Sequence, residues 1–281
     1  MQRTATPLTS VRFRSQPPTN MKNLIILAAG SGKRLLPHTD KVPKCLVKLK
    51  NKTLLERNIS EWRAAGDFNI TIVSGYKSKK LLETNFPCIH NAEFESTNMV
   101  WSLAKTLKKI SKIKDDFIYI SYGDIIVSKA NVHRIMESDN EVNVLIDQEW
   151  EKLWSLRMAD YLSDVESLIC KDGRIIEIGK KTKNIKHIQG QYIGVLKINR
   201  KILIDELIAY LDWVKKSINK NQESSRKNLY LTEFLQRFID NGIKVSPIFI
   251  KGGWLEVDSC ADLEAYEKNW NKQSIYKEVV S

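Results

Sequence analysis

The sequence predicts an α/β fold with a mixed, mostly parallel sheet flanked by helices. Three observations lead there. Strand-like apolar runs alternate with helix-periodic stretches through the first half of the chain. The first run, Leu24–Ala28, stops abruptly at Gly30-Ser31-Gly32, the strand-then-glycine order of phosphate-binding sheets. At 281 residues and 42% hydrophobic composition, the chain can bury one large core.

The elements follow in order. Strand-like runs fall at Leu24–Ala28, Ile70–Ser74, Phe117–Ser121, Val142–Ile146, Arg174–Ile178, Tyr192–Ile198, Lys244–Ile250 and Trp254–Val257. Thr53–Ala65 reads as a helix, with Leu54, Leu55, Asn58, Ile59 and Trp62 on one face and Gly66 at the stop position. Asn98–Ile110 repeats that periodicity through Val100, Leu103, Ala104 and Leu107. Later helices are expected at Lys201–Lys215, Leu229–Asp240 and Ala261–Trp270, the last opened by a Ser259–Asp262 capping box. The polar stretch "KKSINKNQESSRKN" reads as an exposed loop. Residues 1–20 contain Arg, Ser, Thr and Pro but no acid. They read either as a transit-type leader or as sequence upstream of a start at Met21; the second is preferred, and in both cases they lie outside the fold. Residues 21–281 are expected to form a single domain. A nucleotide-type half runs to about residue 140, and a more irregular half, from about 141 to 281, shapes a second substrate site.

Composition narrows the function classes. The net charge of +12 allows nucleic acid, anionic lipid or small phosphorylated ligands as partners. Its lysines are scattered and interrupted by acids, with no basic run interleaved with aromatics, so a nucleic-acid surface is disfavoured. Cys45, Cys88, Cys170 and Cys260 are far apart, which argues against a zinc site or disulfide framework and fits the cytoplasm. No apolar run nears the roughly 20 residues of a membrane span.

The glycine loop discriminates among phosphate-binding motifs. A dinucleotide fingerprint needs a third glycine where Leu35 stands, and a Walker loop needs glycine at Leu27 and Ser or Thr at Arg34. The string Leu27-Ala28-Ala29-Gly30-Ser31-Gly32-Lys33-Arg34-Leu35-Leu36-Pro37, followed by Pro43-Lys44, instead resembles the signature of the nucleotidyltransferases that act on sugar phosphates, choline phosphate and related compounds. The resemblance runs from residue 22 to about 270. It implies a Rossmann-like GT-A-type fold and transfer of a nucleoside monophosphate from an NTP to a phosphorylated acceptor, with release of pyrophosphate.

The residue types suit that chemistry. The glycines let backbone N–H groups approach a triphosphate. Arg34 offers a planar fork of donors to departing pyrophosphate, and Lys44 a point charge to a phosphate. Asp124 ends the strand "DFIYISYGD", at the end of a parallel sheet where ligands bind. In "GGWLEVDS", Glu256 and Asp258 share one strand face. With Asp124 they could hold Mg²⁺ through oxygen ligands, with a solvated strand residue as the alternative for Glu256. The catalytic set expected is Arg34, Lys44, Asp124 and Asp258. The resemblance implies nucleotide contacts from Leu27 through Lys33 and from Gly75, Asn98 and Ser102; Asn98 equally suits a helix N-cap.

The W-x-E-x-D form and "STNMVWSL" are similar to the choline-phosphate cytidylyltransferase branch, which implies CTP and an acceptor such as phosphocholine. Trp150, Trp154, Tyr192 and Trp254 are then candidates for an aromatic cage around a quaternary ammonium, with core packing as the alternative for each Trp. Lys180 or Lys181 matches a family lysine on the acceptor phosphate. Asp164, Glu166 and Glu233 would instead suit a primary ammonium, as in 2-aminoethylphosphonate or an amino-acid-derived phosphate. A sugar-1-phosphate transferase using UTP, dTTP or GTP and a catalytically silent nucleotide-binding regulator are the other readings. A monomer or homodimer is expected.

Overall fold

A computed structural model describes residues 21–157 and 165–270. Residues 1–20 and Asp164 lie outside the described residues. The first half comprises β1 (Lys22–Ala28), the short hairpin β2 (Lys48–Leu49) and β3 (Lys52–Thr53), α1 (Leu54–Ala65), β4 (Phe68–Ser74), α2 (Ser78–Leu82), β5 (Cys88–His90), α3 (Met99–Ala104), α4 (Leu107–Ile110), β6 (Phe117–Tyr122), β7 (Ile125–Val127) and α5 (Lys129–Glu137). It continues through β8 (Val142–Asp147), α6 (Trp150–Arg157), β9 (Glu166–Lys171), β10 (Arg174–Lys181), β11 (Gln191–Asn199), α7 (Arg200–Lys215), α8 (Lys220–Lys227), α9 (Leu231–Asp240), β12 (Ser246–Ile250), β13 (Trp254–Glu256) and α10 (Cys260–Asn269).

Seven strands form the central sheet in the order β12-β8-β11-β6-β1-β4-β5. Six run in one direction and β11 alone runs against them, which is the mixed, mostly parallel sheet expected. The strands are apolar on both faces because helices cover both. Along β1, Leu24 and Ile26 face one core with Leu55, Ile59 and Trp62 of α1, while Ile25 and Leu27 face the other with Val100, Leu203 and Phe234. α1 starts at a Thr53–Glu56 capping box, and α10 at the expected Ser259–Asp262 box.

β11 bends at Gly194, whose φ of +86° marks a shift of register against β8. A Cβ at this position would come within 2.4 Å of the Tyr122 ring on β6, so glycine is required for both conformation and space.

Two expectations change. The stretch read as one helix over 98–110 is two short ones. Thr106 Oγ1 and N–H both turn back to the Leu103 carbonyl, at 2.6 and 2.9 Å, a local bond that competes with helix continuation. The polar stretch read as a loop contains α8, capped by Asn219 and burying none of its side chains.

Trp62 is fully buried and packs edge-on against Phe68 and Tyr119, with centroids at 5.0 and 5.9 Å. Trp62→Ala should therefore cost about 3–5 kcal/mol. Urea unfolding of the two proteins checks it; a loss below about 1 kcal/mol would show that α1 is not anchored there.

Candidate functional site

Strands β1, β4 and β6 end on the same edge of the sheet, and the cleft opens there. Leu27, Ala28, Ala29 and Gly30 supply one wall, and Asn98 and Ser102 the opposite one. These six expected nucleotide contacts are thus brought together. Asn98 also caps α3, its side chain accepting from the Met99 N–H at 2.8 Å, so one residue both lines the cleft and serves as the expected N-cap. Ser31, Gly32, Lys33 and Gly75 do not line the cleft. Gly32 takes a φ of +61° and lies so close to Lys44 that a Cβ would reach 2.9 Å from the lysine Cβ. A Cβ on Gly75 would meet the Ala29 carbonyl and the Phe94 Cβ, both at 2.6 Å. Both glycines shape the cleft by permitting close approach. Phe94, Thr97 and Tyr122 line it as well, although sequence reasoning did not single them out.

At the mouth of the cleft, carboxylates and cations alternate. Asp124 follows β6, and antiparallel pairing of β13 with β7 carries Glu256 opposite Ile125. Asn131 holds the turn into β13, donating to the Gly252 and Gly253 carbonyls at 2.9 and 3.0 Å. The Val257 N–H donates to the Asp124 carbonyl at 3.2 Å. Residues more than 130 positions apart in sequence are thereby juxtaposed. Asp124, Glu256 and Asp258 each present a carboxylate oxygen, and the three lie within 4.8 Å of one another. An all-oxygen set of this kind fits a hard divalent cation such as Mg²⁺.

Cations already bind these acids. Lys44 Nζ donates to Asp124 Oδ2 at 2.5 Å and also to Asp258 Oδ1. Arg34 reaches Asp258 Oδ1 at 3.2 Å from a side chain that is 69% exposed. The third cation, Arg157 at the end of α6, went unnoticed in the sequence. Its side chain is 3% exposed and donates to Glu256 at 2.8 Å, to Asp258 at 3.1 Å and to Asp262 at 3.1 Å. Asp262 in turn accepts from the Asp258 and Ser259 N–H groups, so the α10 cap and the acid cluster are one network.

The charges oppose one another in the expected directions. Burial lowers the lysine's tendency to stay protonated, but Asp124 and Asp258 outweigh it and hold Lys44 well above its ordinary range. Burial and the adjacent Asp258 push Glu256 up, while Lys44, Arg34 and Arg157 hold Asp258 down against its own burial. Burial likewise raises Cys45, beneath the cleft, to about 12, so its thiol stays neutral.

The expected aromatic cage is not assembled. Trp150, Trp154 and Trp254 are 2%, 8% and 2% exposed and belong to the core. Trp150 and Trp154 pack edge to face at 5.3 Å, and Trp254 Nε1 donates to Asp147 at 2.8 Å. Burial of their large apolar area outweighs any gain from lining an open site. Tyr192 packs against Tyr122 at 5.7 Å, next to the cleft wall. Lys180 is exposed and paired with Glu177 at 2.5 Å; neither it nor Lys181 lines the cleft. Glu233 accepts from the Tyr230 N–H at 2.7 Å and serves as a cap of α9.

A glycine-shaped cleft at the carboxyl ends of parallel strands, with a carboxylate–lysine centre at its mouth, defines a nucleotidyltransferase architecture. Comparison with known proteins agrees. Residues 24–175 match the MobA-like NTP transferase domain. The CTP:phosphoglutamine cytidylyltransferase of Campylobacter jejuni is 38% identical over 253 residues, covering 86% of this chain and 98% of that protein. Among solved structures, the CTP:phosphocholine cytidylyltransferase of Streptococcus pneumoniae superposes with a TM-score of 0.66 at 20% identity, covering 89% of this chain and 100% of that one. The inositol-1-phosphate CTP transferase of T. maritima gives 0.64 at 19%, over 91% and 98% of the two chains. The chain belongs to the MobA-like NTP transferase family and is a nucleotidyltransferase. Among the described residues, no helix is long and apolar enough to cross a membrane.

Arg157→Met should cost roughly 3–5 kcal/mol near neutral pH, because it strands buried acids without their shared cation. The defect should shrink as pH falls toward about 4, where the acids protonate and their repulsion fades. In the wild-type chain Asp258, held low when folded, keeps its contribution over that descent and loses it only below about pH 4, while Glu256, pushed up when folded, is relieved as it protonates. Thermal unfolding from about pH 8 to 4 reads both trends; a pH-independent difference between the proteins would contradict them.

Proposed function

We infer that the protein transfers CMP from CTP to a small phosphorylated acceptor and releases pyrophosphate. The observation that carries this reading is Lys44, held between Asp124 and Asp258 at the mouth of the glycine-walled cleft. The C. jejuni relative supports the cytidine nucleotide and directs attention first to a phosphate of an amino-acid amide as acceptor. Phosphocholine ranks below it, because the tryptophans that would cage a quaternary ammonium are core residues.

The reaction is an in-line displacement. An acceptor phosphate oxygen forms a bond to the α-phosphorus as the bond to the bridging oxygen of pyrophosphate breaks. The acceptor phosphate is already an anion at neutral pH, so no protein base is required. The protein contributes position and charge. Backbone near Ala29 and Gly30 approaches the triphosphate. Lys44 exchanges part of its hold on the two aspartates for phosphate oxygens, and the exposed Arg34 turns to the leaving pyrophosphate. Arg157 keeps Glu256 and Asp258 oriented. Mg²⁺, held by Asp124 and Asp258 with Glu256, would supply charge neutralisation for the triphosphate.

Pyrophosphate release should be seen with CTP, Mg²⁺ and an acceptor from a panel of phosphoglutamine, phosphocholine, 2-aminoethylphosphonate and sugar 1-phosphates. Release with UTP and a sugar phosphate but not with CTP would replace this reading with the sugar-nucleotide one. Asp124→Asn and Asp258→Asn should each lower kcat by about 10²–10³. Full activity in either variant removes that residue from the centre.

A further inference from the structure

The loop between β5 and α3 carries Phe94, Thr97 and Asn98 in the cleft wall. Directly before Phe94 stands Glu93, on which an unusual number of contacts converge. One carboxylate oxygen accepts from Trp101 Nε1 and from Lys105 Nζ, each at 2.8 Å. The other accepts from Lys227 Nζ at 2.9 Å, across 134 positions of sequence. Both ammonium groups also lie over the Trp101 ring, 4.4 and 4.5 Å from its centroid. The Lys227 carbonyl accepts from the Asn98 N–H at 3.0 Å, and Asn228 Nδ2 donates to the Ser96 carbonyl at 3.2 Å.

Helix α8, which ends at Lys227, buries none of its side chains. Hydrophobic packing therefore does not fix it, and a helix this short is not stable by propensity alone. Its fixed contacts run to α7 through Tyr210 and through Arg226, which donates to the Trp213 carbonyl and lies 4.6 Å over the Trp213 ring, and to the cleft loop. The loop in turn bears on the glycine signature. Phe94 packs on Gly75 and edge-on to Tyr76 at 6.2 Å; the Tyr76 hydroxyl donates to the Thr39 carbonyl, and Thr39 Oγ1 to the Gly32 carbonyl.

We propose that α8 is a positioning element for the nucleotide: the Lys227–Glu93 pair latches the loop that carries Phe94, Thr97 and Asn98 into its binding form. This rests on the reading of the cleft as the NTP site. Lys227 touches no reacting group, so releasing the latch adds an ordering cost to nucleotide binding and leaves the chemical step alone. Hydrogen bonds from Lys105, then Lys227 and Trp101, draw Glu93 down to about 2, so the latch stays charged throughout the neutral range.

The test is equilibrium titration of the full chain with CTP in Mg²⁺, without acceptor, beside steady-state kinetics. Lys227→Met should weaken CTP binding and raise KM for CTP by about three- to tenfold. Its kcat and acceptor KM should stay within about twofold and its Tm close to wild type. Lys227→Arg should recover most of the loss. Lys215→Met, which removes an equally charged but exposed lysine paired only locally with Asp212, should do nothing. Glu93→Gln should reproduce the Lys227→Met effect if that variant folds poorly. Unchanged CTP affinity in Lys227→Met, or a fall in kcat and Tm together with a rise in both KM values, overturns the proposal. Failure of the wild-type chain to bind CTP or any NTP overturns the nucleotide reading beneath it.

Discussion

The site is organised by mutual neutralisation of buried charge. Asp124, Glu256, Asp258 and Asp262 converge from two parts of the chain, residue 124 and the stretch 256–262, and their repulsion is costly if left unanswered. Lys44 and Arg157 answer it from opposite sides, one from the signature segment and one from the end of α6. Arg34 adds a third, exposed cation. The same ion pairs that permit the fold also hold Asp124, Glu256 and Asp258 within 4.8 Å of one another, an all-oxygen set that would suit a divalent cation. Structural and chemical requirements coincide here, and this explains why so many charged side chains sit beside the apolar strand ends.

The two cations are not equivalent. Arg157 is buried and engages three carboxylates with a rigid fork of donors, geometry that resists displacement. Lys44 is a point charge on a flexible stem at the cleft mouth, able to redirect toward an incoming phosphate. In the proposed reaction, the shapes of the two groups suit an arginine to the scaffold and a lysine to the exchange.

What was legible in the sequence was local. The strand-to-glycine transition, Arg34, Lys44 and the Glu256–Asp258 face all depend on spacing within a short window, and the structure gathers Lys44, Asp124, Glu256 and Asp258 at one place. Arg157 left no such trace, because its meaning comes from partners 99 to 105 positions away. Glu93 escaped for the same reason. The tryptophans were open to two readings because composition does not reveal depth; only the fold shows Trp150, Trp154 and Trp254 in the core. Helix α8 was invisible for a different reason. It has no apolar stripe, so its periodicity carries no signal, and what holds it is polar and distant.

The missing side chain at Gly194 has a consequence for how the sheet assembles. β11 is the one strand that runs against its neighbours, and nothing in its apolar run forbids pairing with β6 one step out of place. The Tyr122 ring fits only over a residue without a Cβ, and Gly194 is flanked by Ile193 and Val195. A slipped pairing would drive the ring into a branched side chain and also turn the strand's two faces over. One absent methyl group thus acts as an index mark, admitting a single alignment of the strand that joins the two ends of the sheet.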